Sequence, residues 1–128
     1  MVVAATSVLA GLRILVVEDE YIIAEAITMM LEDFGCIVVG PIATIEEAIA
    51  AVNDGGLDGA LLDANLHGHS SAPVGVALRA AAVPFIVATG YGTLPLEDAL
   101  NRAPRISKPF NESNLYSTLI TTFHKVRE

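Results

Sequence analysis

The chain alternates short strand-like segments with stretches of helical periodicity, five times over. Four of the five segments are apolar runs of Val, Ile, Leu and Ala, which are typical of strands buried on both faces. The five predicted strands are Ile14–Val17, Cys36–Val39, 60–63, Pro84–Thr89 and Arg105–Lys108. Such an alternation predicts a parallel sheet with right-handed crossovers and helices on both faces.

The composition of each strand predicts its place in that sheet. The first, third and fourth strands are the most apolar and belong inside. The second runs into Gly40-Pro41 and the fifth is short and polar, so both suit an edge. The sequence therefore predicts a doubly wound α/β fold with five strands in the order 2-1-3-4-5.

Local signals mark the helix boundaries. Thr44 and Glu47 form a capping-box pattern, Pro73 suits a first helical turn, and Asn111 can cap the last helix. Between Tyr91 and Arg102 only a short helical pattern remains, so we expect a short or mobile fourth helix. The segment His67–Ser71 reads as a solvated loop, and its two histidines alone are a weak metal signal.

Polar groups suited to phosphate chemistry follow four of the five strands. In a parallel sheet these carboxyl ends meet at one edge, where open α/β sheets bind their ligands. The residues are Glu18, Asp19, Asp63, Thr89 and Lys108. Taken singly, each has a simpler interpretation as a helix cap, a turn or a strand terminator. Together they point to one site.

The chemistry that uses this set is phosphoryl transfer to a carboxylate. Asp63 would be the nucleophile and form an aspartyl-phosphate. Three crowded carboxylates repel one another and call for a hard divalent cation with oxygen ligands, which Mg²⁺ fits. Lys108 would neutralise a phosphoryl oxygen, and the Thr89 hydroxyl would donate to another.

The net charge and the number of cysteines limit the partners and the cellular compartment that we expect for this protein. The formal net charge of -8 argues against nucleic-acid binding by charge attraction. Cys36 is the only cysteine, so we expect a reducing compartment. Residues 1–12 are apolar but are expected to form a flexible extension, and no window suggests a membrane helix.

From about Arg13 to Lys125 the chain resembles a response-regulator receiver domain of the CheY-like superfamily, with a flavodoxin-like fold. The resemblance places the domain at residues 13–126. It implies a metal-ligand acid pair at Glu18 and Asp19, the phosphoacceptor at Asp63, a metal-binding backbone carbonyl at Asn65, the switch hydroxyl at Thr89 and the lysine at Lys108.

The resemblance further implies how such a protein works. The phosphoryl group would come from a sensor histidine kinase or a histidine phosphotransfer protein, with Mg²⁺ as cofactor. Slow self-dephosphorylation would replace enzymatic turnover on external substrates. A surface of helix 4, strand 5 and helix 5 would then switch its contacts with a downstream protein partner, in the cytoplasm, without direct contact with nucleic acid or membrane.

Three features refine the resemblance. Residues 85–92, with Lys108-Pro109-Phe110, are similar to the receiver subgroup named for a Phe-Ala-Thr-Gly signature. Arg105 stands where most receivers carry the aromatic switch residue, so Tyr91 becomes a candidate substitute beside Thr89. His67 stands where a proline is usual.

Two other functions remain open from the residues alone. An aspartyl-phosphate hydrolase of the haloacid dehalogenase type would need an acid two residues after the nucleophile, where this chain has Asn65. A binding module that uses the same edge of the sheet without phosphorylation is the other alternative.

Overall fold

The computed structural model describes residues 8–90, 96 and 98–123. Within them, five parallel strands form one sheet in the order β2-β1-β3-β6-β7. The strands are β1 (Arg13–Val17), β2 (Ile37–Ile42), β3 (Gly59–Asp63), β6 (Phe85–Thr89) and β7 (Arg105–Ser107). Two short strands, β4 (Asn65–Leu66) and β5 (His69–Ser70), pair with each other. The predicted doubly wound sheet and its strand order are confirmed.

Helices connect the strands and cover both faces of the sheet. They are α1 (Tyr21–Asp33), α2 (Ile45–Asp54), α3 (Ala72–Ala80), α4 (Asp98–Asn101) and α5 (Glu112–Phe123). Thr44 Oγ1 accepts the N–H of Glu47 at 3.2 Å, and Asn111 Oδ1 accepts the N–H of Asn114 at 2.8 Å. Both predicted caps are therefore present. None of the helices in the described part of the chain has the length and apolarity to cross a bilayer.

Alternate residues of the central strands enter two separate cores. Ile14 and Val16 of β1 belong to the core beneath α1 and α5. Leu15 and Val17 belong to the core on the other face, with buried residues from α2 and α3. A strand whose successive side chains point to opposite faces must be apolar throughout when both faces are covered, which explains the unbroken apolar runs.

The described part of the predicted extension packs onto the domain. Leu9 and Leu12 are fully buried in the core beneath α1 and α5. The Gly11 N–H donates to the Gly35 carbonyl at 2.8 Å. The packed part of the chain therefore begins before the expected boundary at residue 13, while residues 1–7 lie outside the described residues.

The edge strand β2 continues through Gly40-Pro41, where the sequence suggested an end. Its pairing with β1 shifts between Leu15 and Val17, so that Gly40 and Pro41 stand opposite the single residue Val16. Gly40 has φ +103°, and a Cβ there would lie 2.8 Å from the backbone nitrogen of Ile42. This bulge lets the Ile42 carbonyl accept the Glu18 N–H at 2.9 Å.

The expected loop at 67–71 is partly a hairpin. Asn65 pairs with Ser70 and Leu66 pairs with His69, which leaves His67 and Gly68 as a two-residue turn. Their φ angles are +51° and +81°, and two positive values are what a type I′ turn requires. Buried Leu66 anchors the hairpin to the core beneath α2 and α3.

Gly59 at the start of β3 permits the close approach of α5. A Cβ built on Gly59 would lie 2.6 Å from Cε1 of Phe123, which is fully buried.

We expect Gly59→Ala to lower the free energy of unfolding by about 1–3 kcal/mol, since overpacking forces a shift of the Phe123 ring. In a Phe123→Leu background the same change should be less destabilising. Urea denaturation of the four proteins would measure this coupling, and strictly additive effects would contradict it.

Cys36 should make stability fall at high pH. Burial raises the pKa of its thiol from 9.0 to about 11. The folded state then keeps the proton after the unfolded chain has lost it, so this contribution to stability is present below pH 9.0 and is lost as the pH rises toward 11. We expect the wild type to lose on the order of 1 kcal/mol relative to Cys36→Ala over this range. A pH-independent difference between the two proteins would refute this.

Candidate functional site

The predicted site residues meet at the carboxyl edge of the sheet. In the register of the strands, Val17 lies beside Leu62, and Asp63 lies beside Ala88. Glu18 and Asp19 follow β1 directly, and Lys108 follows β7. The parallel pairing therefore gathers groups that are up to 90 positions apart along the chain, from Glu18 to Lys108.

Three carboxylates form a compact cluster. One oxygen from each of Glu18, Asp19 and Asp63 lies within 4.8 Å of the others. Glu18 and Asp63 are buried, and Asp19 is half-buried. Like charges at these distances repel one another strongly when water is largely excluded.

Lys108 is the cation that this cluster already holds. Its Nζ donates to Asp63 Oδ2 at 2.8 Å and lies 2.9 Å from Glu18 Oε1. The second contact is an ion pair, and Oε1 accepts no hydrogen bond from the described residues. The carboxylates act, against the effect of burial, to raise the pKa of Lys108, so the lysine stays charged.

The buried position of Glu18 changes the pKa of its carboxyl group. Burial is the main cause that raises the pKa of its carboxyl group to about 7, and the charge of Asp63 adds to the effect. Contact with Lys108 and the Glu20 N–H, which donates to Glu18 Oε2 at 3.1 Å, act in the other direction. The Glu18 carboxyl group therefore binds a proton more readily than an ordinary glutamate does, even beside Lys108.

Asp19 is bound by His67, which lies in the turn between β4 and β5. The His67 N–H donates to Asp19 Oδ2 at 2.9 Å, and His67 Nδ1 lies 3.6 Å from the same oxygen. Burial acts to raise the pKa of Asp19, but the His67 N–H and imidazole outweigh it, and the pKa lies below its ordinary value. Asp19 therefore stays ionised beside Glu18.

The remaining predicted residues occupy different positions around the cluster. Thr89 is buried at the end of β6, where its carbonyl accepts the Lys108 N–H at 2.9 Å. The Asn65 N–H donates to Asp63 Oδ1 at 3.3 Å. Arg105 donates to Asn101 Oδ1 in α4 at 2.7 Å. Tyr91 lies outside the described residues, so its switch role stays a prediction.

Ser71 is a site residue that the sequence did not indicate. It is fully buried, and its hydroxyl donates to the backbone carbonyl of Asp63 at 2.5 Å. Its N–H donates to the Ala64 carbonyl, and its own carbonyl accepts the Val74 N–H in the first turn of α3. Ser71 thus fixes the backbone of Asp63 to the start of α3.

The donor atoms suit a hard divalent cation. Within the described ranges, Glu18, Asp19 and Asp63 are the one group of three or more acidic, His or Cys side chains close enough to share a metal ion. The buried Glu18 Oε1 is paired with Lys108 but accepts no hydrogen bond from the described residues. Such an oxygen can serve as a ligand for a metal ion. All-carboxylate donors fit Mg²⁺ or a similar ion.

Comparison with known proteins supports the same interpretation. A family model described as the response regulator receiver domain matches residues 14–120. No curated protein sequence matches the chain.

Solved structures give a closer comparison. The solution structure of SdrG from Sphingomonas melonis Fr1 is 38% identical, covers 85% of this chain and 93% of its own, and superposes with a TM-score of 0.75. SdrG in a BeF3-activated conformation, attributed to Pseudomonas melonis Fr1, is 37% identical over 86% of this chain and 94% of its own, with a TM-score of 0.69.

A third solved structure has a fold similar to that of this chain. The receiver domain of the sensor histidine kinase PA1611 from Pseudomonas aeruginosa PAO1 was determined with a magnesium ion coordinated in its active-site cleft. It is 24% identical, covers 89% of this chain and 98% of its own, and has a TM-score of 0.79.

Removing the Ser71 hydroxyl should loosen the backbone of Asp63. We expect Ser71→Ala to lower the free energy of unfolding by about 1–2 kcal/mol, because a buried carbonyl loses a hydrogen bond. Ser117→Ala on the exposed face of α5 is the matched control and should change stability by less than about 0.5 kcal/mol. Chemical denaturation gives both values. Equal effects of the two substitutions would show that the Ser71 contact contributes nothing measurable.

Proposed function

The chain belongs to the response regulator receiver domain family, and from this we propose that it accepts a phosphoryl group on Asp63 and switches a protein-interaction surface. The donor would be a phosphohistidine on a sensor histidine kinase or a histidine phosphotransfer protein. Receiver domains are phosphoacceptors rather than turnover enzymes, and the proposal includes slow self-dephosphorylation. The single cysteine supports a reducing, cytoplasmic setting.

One observation carries the proposal. Lys108 Nζ lies 2.8 Å from Asp63 Oδ2 and 2.9 Å from Glu18 Oε1. A charged donor beside the acceptor carboxylate is placed to stabilise the extra negative charge that a phosphoryl group brings. Positioning and charge neutralisation of this kind supply most of the rate enhancement in phosphoryl transfer.

The transfer itself is a displacement at phosphorus. An oxygen of the Asp63 carboxylate forms the new O–P bond as the N–P bond of the donor phosphohistidine breaks. The imidazole leaves with the electron pair of that bond and takes up a proton. Asp63 then carries less charge on its own oxygens, so Lys108 exchanges the carboxylate for a phosphoryl oxygen as its partner.

Glu18, Asp19 and Asp63, with the backbone carbonyl of Asn65, would hold Mg²⁺ in this protein. A bound Mg²⁺ neutralises carboxylate and phosphoryl charge together. The magnesium ion described for the PA1611 receiver domain supports this assignment. Asn65 also argues against a hydrolase of the haloacid dehalogenase type, because an amide cannot act as the acid and base of turnover.

The switch would start at Thr89. Its hydroxyl would donate to a phosphoryl oxygen, and its carbonyl is joined to the Lys108 N–H, so both strand ends respond together. The surface formed by α4, β7 and α5 would then change its contacts with a downstream protein partner. The link from Arg105 to Asn101 joins β7 to α4 and would be remade in that change.

Asp63→Asn should abolish phosphorylation. Wild-type protein incubated with acetyl phosphate and Mg²⁺ should gain one phosphoryl group by intact mass and lose it in hydroxylamine, because an acyl phosphate is labile. Asp54→Asn, at an exposed position at the end of α2, is the matched control and should label like the wild type. Beryllofluoride with Mg²⁺ should shift the NMR signals of Thr89 and Lys108 in the wild type and in Asp54→Asn, but not in Asp63→Asn.

Other results would replace the proposal. Labelling that survives in Asp63→Asn would move the acceptor elsewhere. Rapid turnover of phosphomonoesters would favour a hydrolase. A partner whose affinity is unchanged by phosphorylation would favour a binding module that uses the surface without the phosphoryl group.

A further inference from the structure

The turn of the β4–β5 hairpin brings an imidazole to the edge of the carboxylate cluster. His67 Nδ1 lies 3.6 Å from Asp19 Oδ2, while the His67 side chain remains 60% exposed. Two donors on one metal ion, each about 2.0–2.2 Å from it, lie at most about 4.4 Å apart. The imidazole nitrogen and the Asp19 oxygen are therefore already within the span of a shared cation.

The backbone holds His67 in this place. Both residues of the turn have positive φ, and the turn is closed by the pairing of Leu66 with His69. The His67 N–H is tied to Asp19 Oδ2 at 2.9 Å. Of the three acids, the imidazole contacts Asp19 alone, and it lies outside the group of described side chains close enough to share an ion. Coordination would therefore require the imidazole to turn about its side-chain bonds toward Glu18 and Asp63.

The adjoining cluster gives independent reason to expect a cation. The Glu18 side chain is fully buried, and its Oε1 accepts no hydrogen bond from the described residues. One oxygen of the Glu18 carboxylate lies within 4.8 Å of oxygens of Asp19 and Asp63. An ion bound there would have a nitrogen donor beside one of its carboxylate ligands.

We propose that His67 is a nitrogen ligand for the cation at Glu18, Asp19 and Asp63, and that it raises the preference of the site for divalent transition metals over Mg²⁺. Carboxylates bind Mg²⁺ and Mn²⁺ alike, whereas imidazole suits transition metals and rarely replaces oxygen around Mg²⁺. The inference rests on the cation site of the proposed function, and it adds a ligand and a selectivity to that site.

The matched pair for a test is His67→Asn and His69→Asn in the full chain. Asparagine tolerates the left-handed backbone of position 67, so the turn should survive the loss of the imidazole. His69 is exposed on the same hairpin, and no described contact joins its side chain to the cluster. Far-ultraviolet circular dichroism would verify that both variants fold.

The readout is the ligand set of bound Mn²⁺. Pulsed electron paramagnetic resonance should detect a coordinated ¹⁴N in the wild type and in His69→Asn, and none in His67→Asn. Calorimetric titration should show that His67→Asn weakens Mn²⁺ binding about tenfold. The same substitution should weaken Mg²⁺ binding less than about threefold.

Several outcomes would overturn the proposal. Absence of ¹⁴N coupling in wild-type protein that binds Mn²⁺ would exclude the ligand while leaving the phosphoacceptor function intact. An equal loss of Mg²⁺ and Mn²⁺ affinity in His67→Asn would mean that His67 only positions Asp19. Failure of the wild type to bind either cation would remove the inference together with the cation site, whereas Asp63 labelling would still test phosphotransfer separately.

Discussion

The site depends on two buried carboxylates, Glu18 and Asp63, that pair with Lys108, with half-buried Asp19 beside them. Charges removed from water are costly unless they are paired. Lys108 pairs with Asp63 and Glu18 but leaves a net negative cluster. Burial is the main cause that raises the pKa of Glu18 to about 7, and the charge of Asp63 adds to it. A fold optimised for stability alone would place apolar groups here. The proposed function gives this arrangement a use, because a bound cation would supply the missing positive charge and Asp63 would be the phosphoryl acceptor.

Irregular backbone, rather than regular sheet, places each acid. The bulge at Gly40-Pro41 brings the Ile42 carbonyl to the Glu18 N–H. Beside Asp63, the hairpin turn supplies the His67 N–H to Asp19, and the Ser71 hydroxyl donates to the Asp63 carbonyl. Parallel strands bring the three segments to the same edge, but local departures from regularity fix side-chain positions to the precision that chemistry needs.

The sequence predicted what depends on periodicity and missed what depends on single contacts. Apolar runs and their terminal polar residues were enough to place Asp63 and Lys108 at one edge, because strand direction follows from topology. The contact between His67 and Asp19 spans 48 positions and joins a backbone N–H to a carboxylate. Such a bond leaves no pattern in the residue types. The sequence predicted that the second strand ends at Gly40-Pro41, but these residues form a bulge and β2 continues to Ile42. A bulge on an edge strand and the end of a strand can have the same composition.

The contacts of Lys108 suggest how a change of charge at Asp63 could alter the neighbouring strands. Lys108 is bound through its side chain to Asp63 and through its N–H to the carbonyl of Thr89. If Asp63 is phosphorylated as proposed, a phosphoryl group that draws the ammonium away from the carboxylate would act on a residue that follows β7 and whose N–H is bonded to the end of β6. Packed elements respond to such a pull by changing between discrete arrangements rather than by gradual deformation. Lys108, which pairs with the proposed acceptor Asp63, thus also joins the ends of β6 and β7.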